Sequence, residues 1–196
     1  MAEFTYEDRE YQLEAVHTVI AAFKQHDSVL IESPVGSGKT IMGLMVIKHL
    51  QQEAKKQGKP LAVSWVAARR HILNQTEKVN DTYFKCDLSY VSAFDKRPPR
   101  ADLMVIDEAH HEATQSVLDM YERTGNHLTL GLSATPLRTD RMKLSFQIVV
   151  KSSSIAKLIA QHYLVPFHSY KINDWDPAFV ARIFLESQQL WGKSLV

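Results

Sequence analysis

Apolar positions along the chain fall into two alternating kinds of segment. In residues 11–25, YQLEAVHTVIAAFKQ, Leu13, Val16, Ile20 and Phe23 recur at helical spacing, which predicts a helix with one apolar stripe. Residues 29–32, VLIE, form a short continuous run rich in branched side chains, the pattern of a strand buried on both faces. The loop SPVGSGKT follows at 33–40, and TIMGLMVIKHLQQEAKKQ at 40–57 reads as a long helix stopped by Gly58 and Pro60. LAVSWVA at 61–67 is a second buried strand, ARRHILNQTEKV at 68–79 a helix, LSYVSAF at 88–94 a strand and KRPPR at 96–100 a turn. LMVID at 103–107 is a strand that runs into EAHH. A helix is predicted over 112–124, and HLTLGLSAT at 127–135 holds one more strand.

Strands alternating with helices imply a mainly parallel sheet with helices on both faces. In such sheets ligands bind outside the carboxyl ends of the strands. SPVGSGKT and DEAHH both stand at such ends.

Composition narrows the picture without changing it. The chain has 196 residues, 45% hydrophobic and 23% charged, which is ordinary for a soluble globular protein. The formal net charge is +1, so no global field attracts a polyanion, and any such face is local. The longest apolar runs fall far short of a membrane span, and the acidic, polar start MAEFTYEDRE does not resemble a signal peptide. The single cysteine, Cys86, excludes an intramolecular disulfide. The pattern is that of a cytoplasmic protein without membrane association.

GSGKT follows a strand and opens a helix, the context a phosphate loop requires. Gly36 and Gly38 let the backbone wrap a phosphate without Cβ clashes. Successive N–H groups and the helix N-terminus supply positive potential. Lys39 can reach β- and γ-phosphates, and Thr40 can place its hydroxyl on a magnesium ion. The first position of the usual G-x-x-x-x-G-K-[ST] pattern is Ser33 rather than glycine. Asp107 closes an apolar strand, where it can hold a magnesium ion through water. Glu108 follows and points elsewhere, so it can polarise an attacking water.

With both motifs in place the chain resembles the first RecA-like motor domain of a superfamily-two helicase or translocase, in the DEAD/DEAH-type group that includes type III restriction-enzyme motor subunits. The likeness runs from about Arg9 to about Phe167. REYQ at 9–12 resembles the adenine-reading element, SPVGSGKT the phosphate loop, VAARRHILNQ at 66–75 a nucleic-acid-contacting motif, DEAHH the acidic motif, and GLSATPLRTD at 131–140 the SAT element. The resemblance implies a P-loop ATPase that uses ATP and Mg²⁺. Arg9, Gln12 and residues Pro34, Val35, Gly36, Ser37, Gly38, Lys39 and Thr40 would bind the nucleotide, with Gln12 facing adenine. Thr40 and Asp107 would hold the metal, and Lys39, Asp107 and Glu108 would carry catalysis. His110, Ser133 and Thr135 would couple the nucleotide state to the track, and Arg69 and Arg70 would touch nucleic acid. For Gln12 the competing reading is a helix-surface glutamine; for the arginines, a solvated helix face. The remaining histidines lack the paired spacing of a zinc site.

Motors of this kind use a second RecA-like domain that supplies arginine fingers. Residues 1–166 are read as the first domain. Residues 167–196 are read as a connector and the opening of a second, with a strand at 167–173, a helix at 177–190, and an apolar run cut short at WGKSLV. The chain is accordingly expected to be a fragment or half-motor that binds Mg-ATP and turns it over poorly, working with a second domain in cis or from a neighbouring copy. DNA is favoured over RNA as the track by family analogy alone. The alternatives are a non-hydrolysing module in which ATP gates a nucleic-acid or protein contact, and an unrelated P-loop ATPase or kinase.

Overall fold

In the computed structural model of the protein, the described residues are 9–109, 128–135 and 146–166. They comprise α1 (Glu10–Ala22), β1 (Ser28–Glu32), α2 (Lys39–Lys56), β2 (Val63–Ala67), α3 (Arg70–Val79), a π-helical turn (Asn80–Phe84), β3 (Ser89–Ser92), β4 (Leu103–Asp107), β5 (Leu128–Ser133), β6 (Ile148–Lys151) and α4 (Ile155–Ala160). The helix expected over 112–124, and the strand and helix expected beyond residue 166, lie outside the described residues.

The six strands form one sheet in the order β3-β2-β4-β5-β1-β6, and every pairing is parallel. Parallel strands that are covered on both faces need apolar side chains in both directions. Accordingly β2 and β4 are buried at all five positions. One face of the sheet, with Val29, Ile31, Trp65, Val105, Leu130 and Leu132, receives α1, α2 and α3 through Val16, Val19, Leu44, Ile47 and Leu73. The opposite face carries Leu30, Val66, Met104 and Ile106, with Phe146 packed against it.

Helix α2 lies unusually close to the sheet because Gly43 has no side chain. A Cβ there would stand 2.9 Å from the Trp65 ring and 3.1 Å from Leu132. Trp65, Leu44 and Ile47 are each fully buried, and each such side chain contributes about 1.5–3 kcal/mol through its loss of hydration.

Two sequence readings shift. The buried face of α1 is Tyr11, Ala15, Val16 and Val19, with Leu13, Ile20 and Phe23 on its rim. The helix is turned so that its first turn, not its middle, meets the loop after β1. Strand β6, IVVK, is not among the expected elements. It is an edge strand with only Val150 buried, so it lacks the continuous apolar run of its neighbours.

The chain divides into two compact units, Met1–Leu164 and Val165–Val196. Of the second, only Val165 and Pro166 are among the described residues. No helix of the described residues is long and apolar enough to cross a membrane.

Candidate functional site

The strand order sets the site. Strand β5 lies between β1 and β4, so the strand ends Glu32, Ser133 and Asp107 stand side by side along one edge of the sheet. Two strand spacings of about 4.8 Å separate the ends of β1 and β4, a span of roughly 10 Å that a triphosphate and its metal can bridge.

After β1 the chain turns through Ser33–Gly38 into α2. Gly36 and Gly38 adopt φ of 78° and 84°, a region that costs residues with a Cβ about 1–2 kcal/mol. The loop is pinned from below. The Ser33 N–H donates to the Ser133 carbonyl at 3.0 Å. The buried Ser33 hydroxyl bonds the hydroxyls of Ser37 and Ser152, and Ser37 Oγ donates to the Pro34 carbonyl at 2.6 Å. The serine at the usual glycine position therefore cross-links the two ends of the loop and ties them to the segment after β6. No pattern in the sequence marks Ser152 for this role. The tip, by contrast, faces solvent, with Val35 76% exposed. Lys39 and Thr40 open α2, where the first-turn N–H groups and the positive end of the helix dipole point outward.

The first turn of α1 grips the same loop. The Tyr11 hydroxyl donates to the Ser37 carbonyl at 2.6 Å, and Gln12 Nε2 donates to the same oxygen at 2.8 Å. Gln12 is 2% exposed, which excludes the surface-glutamine reading. A Cβ on Gly38 would come within 2.5 Å of Gln12 Nε2, so the glycine is required by packing as well as by φ.

Asp107 and Glu108 diverge because Glu108 takes a left-handed conformation, φ 54°, at the end of β4. The Glu108 N–H donates to Asp107 Oδ1 at 3.0 Å. Burial pushes the Asp107 carboxyl up to about 6, and the Glu108 charge adds to the rise. The Glu108 N–H, the Lys39 ammonium and the Trp65 indole oppose it. The fully buried Trp65 Nε1 approaches the carboxyl without completing a hydrogen bond. The field of Lys39 at Asp107 brings the two sequence motifs, far apart in the chain, into one electrostatic unit.

Ser133 Oγ donates to the Thr135 carbonyl at 2.7 Å and accepts the Thr135 N–H at 3.2 Å, a side-chain-closed turn at the end of β5. It places the SAT element between loop and carboxylates.

This arrangement agrees with three kinds of likeness. A family model for the res subunit of type III restriction enzymes matches residues 5–94. The helicase-like protein 22 of Sulfolobus islandicus filamentous virus (isolate Iceland/Hveragerdi) is 25% identical over 82% of this chain and 34% of its own length. Among solved structures, a nuclease-deletion mutant of the Type ISP restriction-modification enzyme LlaGI, in complex with a DNA substrate mimic, matches 96% of this chain and 22% of that one at 16% identity and a TM-score of 0.60. The helicase domain of Pyrococcus furiosus Hef matches 75% of this chain and 38% of that one at 19% identity and a TM-score of 0.56.

The chain has the RecA-like fold of these helicase and restriction-enzyme structures. It spans about a third of the length of its curated relative. In this fold the sequence-nominated residues Arg9, Gln12, Pro34–Thr40, Asp107, Glu108, Ser133 and Thr135 gather at one end of the sheet. Arg69 and Arg70 are exposed at the start of α3, beyond the carboxyl end of β2, a position that suits both a track contact and a solvated helix face. His110 lies outside the described residues.

Proposed function

We propose that this chain is a superfamily-two helicase-type motor domain that binds Mg-ATP at the loop after β1 and, with a second RecA-like domain in cis or from a neighbouring copy, hydrolyses it on a nucleic-acid track. The observation that carries the reading is the juxtaposition of Lys39 and Asp107 across β5. A cationic phosphate partner and a buried carboxylate face one gap at the carboxyl edge of a parallel sheet.

The residues fit a magnesium ion. Among the described residues no cluster of three or more His, Cys, Asp or Glu side chains forms a protein-only metal cage. Asp107 supplies a buried carboxylate beside Lys39, and an ion there can be held by one carboxylate, one hydroxyl, waters and the substrate's own phosphates. Asp107 and Thr40 would hold it, and it would relieve the charge crowding between Asp107 and Glu108. When bound, the ion offsets charge on the β- and γ-phosphates. Lys39 and the loop N–H groups orient the phosphates, and Glu108, turned away from Asp107 by its left-handed backbone, polarises the attacking water. Ser133 and Thr135, hydrogen-bonded to each other between the two sites, report the state of the phosphates to the track. Arg69 and Arg70 contact the phosphate backbone of that track, and the restriction-modification neighbour LlaGI, solved in complex with a DNA substrate mimic, favours DNA. An arginine from an opposing domain is worth about 10³–10⁵ in rate, so turnover without one is slow.

The test is a Mg-ATP titration beside a turnover assay, each with and without duplex DNA, on the wild type and on Lys39→Ala and Glu108→Gln. Lys39→Ala is expected to abolish binding, and Glu108→Gln to keep binding while removing residual turnover. Unchanged affinity in Lys39→Ala overturns the site. Tight binding with no turnover under any condition, even with the second domain supplied, favours the gating module.

A further inference from the structure

We propose that Tyr163 is a positioning residue of the nucleotide site, holding Arg9 flat so that its guanidinium can stack on the nucleotide base. The inference rests on the ATP-binding reading and adds to it a residue far from any of the helicase motifs.

The geometry begins with how α4 ends. Leu158 is fully buried and anchors the helix. The His162 N–H then donates to the Ile159 carbonyl at 3.0 Å, and the Tyr163 N–H to the Leu158 carbonyl at 2.8 Å. This paired closure is the usual helix stop in which one residue turns left-handed, and the residue here is His162 at φ 60°. Glycine is the common choice at that position, so the histidine conformation is one that the surrounding packing must hold in place.

The stop throws the next two side chains back over the site. The Tyr163 ring lies 5.4 Å from that of Tyr11, tilted by 56°. The Arg9 guanidinium sits over the Tyr163 ring, 5.0 Å from its centroid. Arg9 Nη1 also donates to the Tyr11 hydroxyl at 3.4 Å. That hydroxyl is the one bonded to the Ser37 carbonyl of the phosphate loop. Leu164 lies against Gly36, 3.1 Å from where a Cβ would stand.

One turn thus touches the base-reading element twice and the phosphate loop once. A planar guanidinium held on one face by an aromatic ring offers its other face for stacking. Tyr163 is 36% exposed and Arg9 is half-buried, so neither side chain of the pair is fully enclosed. Inorganic tripolyphosphate has no base to stack, so its binding does not depend on this arrangement.

The 196-residue chain as wild type, Tyr163→Ala and Tyr163→Phe would be titrated with Mg-ATP and with Mg-tripolyphosphate. Tyr163→Ala is expected to weaken Mg-ATP roughly fivefold to thirtyfold and to leave tripolyphosphate within about twofold. Tyr163→Phe keeps the ring and is expected to bind both as wild type does. Unchanged ATP affinity in Tyr163→Ala overturns the inference. So does a parallel loss of both ligands, which would make Tyr163 a brace of the loop alone, and so does a Tyr163→Phe variant as weak as the alanine. A wild-type chain that binds neither ligand overturns the nucleotide-site reading beneath it.

Discussion

The backbone N–H of Ser33 donates to the backbone carbonyl of Ser133 at 3.0 Å. This bond extends the β1–β5 ladder one step beyond Glu32 and fixes the root of the phosphate loop to the root of the SAT element. The coupling proposed between nucleotide and track therefore has a rigid mechanical base, with side-chain hydroxyls added on either side.

Ser33→Ala should loosen that base. The substitution keeps the backbone bond and removes the hydroxyl shared with Ser37 and Ser152. A buried hydrogen bond of this kind contributes about 1 kcal/mol, which corresponds to a drop in Tm of roughly 2–4 °C in a protein of this size. Mg-ATP affinity should fall several-fold. Calorimetric melting of the two proteins decides the point: coincident melts mean that the hydroxyl network contributes nothing.

Gly38→Ala and Gly58→Ala separate conformational strain from collision. Both glycines have positive φ, 84° and 70°, but only Gly38 has a neighbour, Gln12, in the space a Cβ would take. Gly58→Ala should cost about 1 kcal/mol, the strain of a left-handed alanine. Gly38→Ala should cost more and should lose nucleotide binding, because Gln12 must leave the Ser37 carbonyl. Adding Gln12→Ala to Gly38→Ala should recover part of the stability in a double-mutant cycle by urea unfolding. Equal costs at the two glycines would remove Gln12 from the account.

Asp107 predicts a pH dependence of the metal-free and nucleotide-free protein. Its folded-state pKa, about 6, lies above the ordinary 3.8. The fold therefore prefers the protonated form. Stability is greatest below the unfolded value, declines as pH rises from about 4 to about 6, and is flat above that. Asp107→Asn removes the buried charge and should stabilise the protein at pH 7 by on the order of 2–3 kcal/mol. Its advantage should shrink toward zero near pH 4. Urea midpoints across that range measure it, and a mutant no more stable at pH 7 would show that the carboxylate carries no such burden.

Arg70→Glu should weaken binding to duplex DNA and make it less sensitive to salt. Removing one phosphate-neutralising cation flattens the slope of log K against log salt by about 0.9. ATP affinity should not change, since Arg70 stands at the start of α3, away from the loop. An unaltered salt slope returns Arg70 to the solvated face of its helix.

Cys86 offers a simpler check on the packing. Burial pushes its thiol up to about 11, and its Sγ lies 3.7 Å from the Leu44 carbonyl. Thiol labelling of the native chain at pH 8 should be slow compared with the urea-unfolded chain. Equal rates would mean that the turn from Asn80 to Cys86 opens readily.

The kind of layer and the position of the glycine loop are legible in the linear chain. Runs such as VLIE and LMVID are dominated by apolar residues because parallel strands are covered on both faces, and that separates them from half-buried strands. The loop at GSGKT is legible because its demand is local: two glycines with positive φ and a helix start fall within five residues. Strand order is what the linear pattern does not contain. The insertion of β5 between β1 and β4 places Ser133 between Ser33 and Asp107. It depends on which strands pair, a long-range choice made by the packing of helices on the sheet. The same holds for Gln12, whose spacing suits either a surface or a site, and whose burial is decided by how α1 is turned against the loop. Ser152 and Tyr163 are hidden in the sequence for a related reason. Each acts on a residue at the far end of the chain, Ser33 and Arg9 respectively, and an isolated long-range pairing leaves no period among the residues between.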